Sequence, residues 1–301
     1  MTISRAQLAK ELEPGLNALF GLEYDRNEDE AAEIFKSESS DRAFEEEVML
    51  SGFATAPVKS EGSAINFDDA QETYTARYTM ETIALAFSIT EEAVEDNLYD
   101  RLAARYTRAL ARSMAQTKQI KGATVLNNAF STASPIGDGA ALCSAAHPSL
   151  SGNQNNLLAT PADLNETSLE DILIQVAGFT DERGLKIAVR GTKLLIPKEL
   201  QFIAERIINS NLRPGTADND INAMKSMGML PEGAVVNHFF TDADAYFVKT
   251  DCPNGFKLFN RTPLKTAMEG DFDTGNMRFK ARERYAYGVS DWRCVFGTPG
   301  A

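Results

Sequence analysis

Two histidines, three cysteines and one tryptophan are spread through 301 residues, and that scarcity limits the chemistry on offer. His147 and His238 stand about ninety positions apart. Cys143, Cys252 and Cys294 are odd in number and widely spaced, which argues against a disulfide framework or zinc site and fits a reducing cytoplasm. No apolar run approaches the roughly 20 residues of a membrane span, and MTISRAQLAKELEPG lacks the apolar core of a secretion signal. Glycine-rich phosphate loops, G-x-S-x-G and H-E-x-x-H are all missing. His147 lies close to Cys143 and Ser144, yet neither spacing forms a nucleophile–base dyad. The acidic run 25–33 lacks the glycine and closing glutamate of a calcium loop and reads as a solvated face. His238 reads as a hydrogen-bonded core or edge residue. No enzyme activity, cofactor or metal site is predicted.

Acid is what the chain has in excess. Its formal charge is −13, and the first 50 residues carry thirteen Asp/Glu against five Lys/Arg, a net of −8. Such a surface does not track a nucleic-acid backbone as a whole. Against that background the segment MRFKARERYAYGVSDWRC (277–294) is anomalous. Met277, Phe279, Ala281, Tyr285, Tyr287 and Val289 fall on one parity; Arg278, Lys280, Arg282 and Arg284 fall on the other. Successive strand residues point to opposite faces, so this is a predicted strand with an apolar side and a cationic side.

Residues 1–47 read as an arm. Leu8, Leu12, Leu16, Leu19 and Phe20 suit a short amphipathic helix interrupted at Pro14 and Gly15. A charge-dense run follows with too few apolar residues for a core of its own. It is either a solvated terminus or a segment that orders against neighbouring molecules. Residues 48–89 read as a two-stranded ribbon. Its second strand, QETYTARYTMETIALAFSIT, switches face: Tyr74, Ala76, Tyr78 and Met80 share one parity, whereas Ile83, Leu85, Phe87 and Ile89 share the other. A one-residue slip marks a bulge or twist where a strand changes the surface it packs on. A lone projecting ribbon is marginal in water, so it predicts a partner.

From Thr90, a predicted N-cap with Glu91 and Glu92 in the first turn, the period becomes helical. Val94, Leu98, Leu102, Tyr106, Leu110 and Met114 recur every four residues, and the pattern runs on to Leu126. One helix of about 37 residues would be about 55 Å long; the alternative is a two-helix hairpin broken near 116–122. Residues 131–165, rich in Gly, Ser, Pro and Asn, read as an ordered loop. An α/β stretch follows: helix SLEDILIQVAGFTDERG stopped at Gly184, strand KLLIP, helix KELQFIAERIINS, strands GAVVNHFF and DAYFVKT, then FKLFNRTPLK.

These parts in this order resemble a tailed-phage major capsid protein of the HK97 fold. FSITEEAVEDNLYDRLAARYTRALARS is similar to the entry of the long helix in Mu-type major head subunits. DGAALCSAAHPSLSGNQNNL resembles that group's D-G-x-x-L-F-S-x-x-H-P…S/G-N signature, with Cys143 where Phe is commoner. GFTDERGLKIAVRGTKLLIPKEL, RPGTADNDINAMKSMGMLP and RERYAYGVSDWRCVFG match the group's middle and end. The similarity covers roughly residues 70–298.

The resemblance implies an α+β capsid fold with an N-terminal arm (1–47) and a projecting β-hairpin E-loop (48–89). A P-domain (90–165) would hold a spine helix over about 90–129, an A-domain would span 166–262, and 263–301 would return to the P-domain sheet. The implied function is self-assembly, in pentamers and hexamers, into an icosahedral shell enclosing double-stranded DNA without sequence-specific contacts. An encapsulin-like nanocompartment is the alternative. Portal, scaffolding and decoration proteins are the further expected partners, with no membrane partner. The location implied is the virion capsid, assembled in the bacterial host cytoplasm. The 47-residue arm predicts scaffolding from a separate protein, if any. Tyr74 and Tyr78 on the ribbon, with Arg278, Lys280, Arg282 and Arg284, are the expected assembly-interface residues. The cationic face is expected to meet acidic groups of an arm or ribbon, within or between subunits, with contact to DNA as the other reading.

Overall fold

The computed structural model describes residues 5–90, 92, 99–213, 220–271 and 274–301. Helix α1 (Arg5–Asp25) runs unbroken past Pro14 and Gly15, where the sequence predicts an interruption. Proline removes one helical hydrogen bond. Here the helix is held by packing instead: Leu16 and Phe20 are buried against the long helix and the sheet. A short 3-10 turn (Glu30–Glu33) follows, capped by Asp29, whose side chain accepts from the Ala32 amide at 3.1 Å. Ala31, Ile34 and Phe35 then enter the core. Within the acidic run 25–33 only Ala31 is buried; most of its residues are exposed, as the solvated-face reading expects, and the core contacts come from Ala31 and the Ile34–Phe35 pair that follows.

Strand β1 (Lys36–Ser39) lies parallel to β8 (Phe256–Gly270), which pairs antiparallel with β9 (Met277–Val289), which pairs antiparallel with β4 (Glu81–Ile89). The ribbon is a separate pairing of β2 (Phe44–Leu50) with β3 (Glu72–Thr79). The predicted face switch falls at Met80, whose amide bonds to the Ala43 carbonyl at 3.2 Å. On one side of Met80 the strand's partner is β2; on the other it is β9. Ala76, Tyr78 and Met80 are buried on the first parity, and Ile83, Phe87 and Ile89 turn inward on the second. A change of partner is the physical cause of the slip.

Helix α2 (Tyr99–Asn127) spans 29 residues without a break, about 43 Å at 1.5 Å per residue. The hairpin alternative is thereby excluded. Gly122 lies in the stretch where that break was expected, and its role is close approach. A Cβ there would come within 2.9 Å of the Ala31 methyl and 3.5 Å of the Tyr287 ring. The predicted first turns, with Glu91 and Val94, lie outside the described residues.

A second sheet runs in the order β10 (Val295–Thr298), β7 (Tyr246–Thr250), β5 (Gly191–Ile196), β6 (Ala234–Val236). Helices α3 (Glu166–Ala177), α4 (Gln201–Asn209) and α5 (Ala223–Met227) flank it. A reciprocal cap between Asn165 and Ser168 starts α3. The helix stops at Gly178 rather than at Gly184, which sits at φ +85° in the turn after Asp181. Leu169, Ile172, Val176, Leu194, Tyr246, Trp292 and Phe296 form this half's core.

Candidate assembly surfaces

Register on both sides of β9 makes the alternation of its sequence into two surfaces. On the odd face Phe279 is 2 % exposed and packs with Leu110, Ala111 and Met114 of α2 and Phe20 of α1. Tyr285 and Val289 continue the buried face, and Tyr287 crosses Phe35 edge-on at 4.8 Å. The even face points away from α2. Arg278, Lys280 and Arg282 are exposed and Arg284 is half-buried. Opposite them on β4 are Ser88, Ala86, Ala84 and Thr82. On β8 the partners are Glu269, Ala267, Lys265 and Thr262.

Lys265 thus becomes a fifth cation beside Arg282. The sequence reading missed it because β8 shifts register twice between Asn260 and Lys265, so parity counting fails there. Between the cations, the small side chains Ala84, Ala86 and Ala267 leave an open groove of about 490 Å³ with Leu85 on its wall. Arg278 is ion-paired with Asp271. Cations two residues apart along a strand are about 7 Å apart, inside the Debye length at physiological salt. They repel one another, and an anionic surface would relieve that repulsion.

Among the described residues, several of the arm's carboxylates find partners away from this face. Asp29 accepts from Gln119 at 2.8 Å and pairs with Lys118 at 3.5 Å. Glu33 pairs with Lys193 at 2.8 Å, and Glu23 with Arg112 at 3.5 Å. Glu30 binds His238 twice, through Nδ1 at 2.7 Å and the backbone amide at 2.8 Å. His238 follows the edge strand β6 and has a largely exposed side chain, so the hydrogen-bonded edge reading holds and the core one is corrected. The 29–35 segment is a clasp between α2 and the second sheet, and its partners lie too far along the chain for spacing to reveal them.

The ribbon tyrosines turn inward. Tyr78 is 3 % exposed, crosses Phe259 at 4.8 Å and hydrogen-bonds to Ser290. Its ring is occupied within its own chain. Tyr74 is half-buried, and burial pushes its phenol pKa up. What the ribbon presents outward is Phe44, under the Arg77 guanidinium at 4.2 Å, with Val48 and Leu50. Beyond the strands Phe53, Val58, Ile65 and Phe67 are exposed, Val58 almost completely.

The loop 131–165 holds a structural cluster rather than a nucleophile. His147 is fully buried, with Nδ1 at 2.6 Å from Asp138 and Nε2 at 3.0 Å from the Asn156 side-chain oxygen. Asn156 donates to the carbonyls of Leu142, Trp292 and Val295 at 2.7, 3.1 and 3.0 Å. One amide thereby ties the loop to the C-terminal strand. Trp292 stacks on His147 at 4.4 Å, and the Arg293 guanidinium lies 4.3 Å from the indole centre. Arg293 in turn pairs with Glu182 at 2.9 Å and Asp291 at 3.2 Å. Burial pushes the Cys143 thiol up, away from the reactive thiolate. Among the described residues no group of three or more His, Cys, Asp or Glu is arranged to hold a metal ion, and no helix is long and apolar enough to cross a membrane.

A family model described as phage capsid protein matches residues 73–297. The chain belongs to that family. Its matched region holds most of β3, α2, the two sheets apart from β1 and the end of β10, and the whole cationic strand. No curated protein matches the sequence. Among solved structures, a capsid of an empty GTA particle is 13% identical with a TM-score of 0.57, over 89% of this chain and 88% of that one. A structure titled Mycobacterium phage Adephagia is 14% identical with a TM-score of 0.54, over 91% of each chain. The virus-like particle from Pyrococcus furiosus is 8% identical with a TM-score of 0.54, over 94% and 97%. At such identities the likeness is one of fold: a mixed helix-and-sheet capsid subunit spanning nearly the whole of each relative.

Proposed function

We propose that this phage capsid protein is the major head subunit of a tailed phage, assembling through rings of five and six into a shell around double-stranded DNA. The observation that carries this is the family match over 73–297, joined to capsid-like folds covering about nine-tenths of the chain. The alternative, a cellular nanocompartment, is not favoured by that match. Within this reading the subgroup is Mu-type, on the DGAALCSAAHPSLSGNQNN loop. The E-loop is 48–89, with the 51–71 tip and β3; the spine helix, about 90–129, contains α2; and the A-domain, 166–262, runs from α3 past β7. Portal and scaffolding proteins are the partners expected at assembly in the host cytoplasm.

Surface chemistry supports a multivalent subunit. Exposed Val48, Leu50, Phe53, Val58 and Phe67 make a ribbon and tip too apolar for a free surface. Many weak contacts of that kind add up to a stable shell through avidity. The even face of β9 is proposed as a seam, with Arg278, Lys280, Arg282 and Arg284 meeting carboxylates of another subunit. Its groove suits an extended polypeptide segment, and Asp29 and Glu33 of the chain's own arm are engaged elsewhere.

Electron microscopy of the purified full chain tests the reading. Closed particles of megadalton size are expected; a chain that stays monomeric through all salt and crowding conditions overturns it. For the seam, Arg282→Glu and Arg284→Glu are expected to fold normally and to assemble poorly. Normal particles from both would sink the seam.

A further inference from the structure

One residue on the apolar face of β9 is not apolar. Glu283 is 4 % exposed, in line with Ala281 and Tyr285. Its Oε2 accepts from the Tyr24 hydroxyl of α1 at 3.3 Å, and its Oε1 has no partner. The hydroxyls of Tyr285 and Tyr287 nearby are also without partners. From β4 the residue opposite is Ile83, which offers nothing polar. From α2 comes Lys118, and from the segment after α1 comes Asp29. These two pair with each other at 3.5 Å, so the ammonium is shared away from Glu283. An ionised carboxylate with one long hydrogen bond is poorly compensated in such a place, whereas a neutral carboxyl is far less costly.

We propose that Glu283 is a protonation-set latch for the N-terminal arm. While the carboxyl is neutral, α1 lies closed over it through Tyr24. When the proton is lost, loosening of α1 lets water reach the charge. The remaining ties of this part of α1 are modest: Thr266 to Asn17 at 2.7 Å and Arg112 to Glu23 at 3.5 Å, beside the packing of Leu16 and Phe20.

The sign follows from burial. Burial holds the Glu283 pKa above the ordinary carboxylate value, with Asp29 acting in the same sense and Lys118 and Tyr24 opposing. The closed arm therefore binds the proton more tightly than the open arm. Closure is fully favoured below the ordinary carboxylate range and weakens as pH rises through the raised value, by up to tenfold per pH unit.

Hydrogen–deuterium exchange of the full chain, corrected for the intrinsic pH dependence of exchange, reads the latch directly. Protection over 15–25 is expected to fall with rising pH, by up to tenfold per unit within the window, while α3 stays flat. Glu283→Gln should abolish the slope. Tyr24→Phe should move the midpoint to higher pH, because the lost hydroxyl favoured the charged form; this variant keeps the test alive if Glu283→Gln fails to fold. A flat wild-type profile, an unchanged slope in Glu283→Gln, an unmoved midpoint in Tyr24→Phe, or parallel loss in α3 overturns the proposal.

Discussion

The two faces of β9 are built from alternate residues of one strand and meet opposite fates. The odd face carries Phe279, Tyr285 and Val289 into contact with two helices and is dry apart from Glu283. The even face carries four cations and gains a fifth from β8; among the described residues Arg278 pairs with Asp271 and lies opposite Glu269 at one end. Folding of the subunit is secured by the first. The second adds repulsion and contributes nothing to that core, which is why it is proposed as the seam. A single strand thus separates a face that makes the molecule fold from a face left on its surface.

Breaking the odd face has the largest expected effect. Phe279→Ala empties a site bounded by Phe20, Phe87, Leu110 and Met114 and is expected to cost about 3–5 kcal/mol, read as a lower midpoint in chemical denaturation. Next comes Gly122→Ala, which leaves chemistry unchanged but presses a methyl against Ala31, 2.9 Å away. Overpacking there is expected to cost about 1–3 kcal/mol, and Ala31→Gly in the same chain should recover part of it. Arg282→Glu sharpens the contrast from the other side: its denaturation midpoint should stay within about 0.5 kcal/mol of wild type while particle yield falls. The smallest effect is ionic. Raising salt above the physiological range should weaken wild-type assembly more than it weakens the Arg282→Glu variant, measured by light scattering.

The sequence made some of this legible because local periodicity was enough. The β9 alternation, the Met80 face switch and the unusual length of α2 each leave a regular trace over ten or more residues. Glu283 left a trace as well, an acid on an apolar parity, but a count of apolar positions passes over the one that differs. Other features depend on contacts remote in sequence. Lys265 joins the ladder only through the slips in β8. The 29–35 clasp takes Lys118, Lys193 and His238 as partners, roughly 90 to 210 positions away. Tyr78 is expected from the sequence as an assembly-interface residue because nothing local announces Phe259 and Ser290 behind it. The 131–165 loop was recognisably ordered, yet the three carbonyls gathered by Asn156 come from two separate segments.

Trp292 is the chain's single indole and lies fully buried against His147, Arg293 and Phe179. The molecule therefore carries one built-in optical gauge, fixed in the second sheet's half. Its emission should report melting of that half and stay silent when α1 moves. Light scattering and tryptophan fluorescence recorded on one sample would then separate association from unfolding without any label.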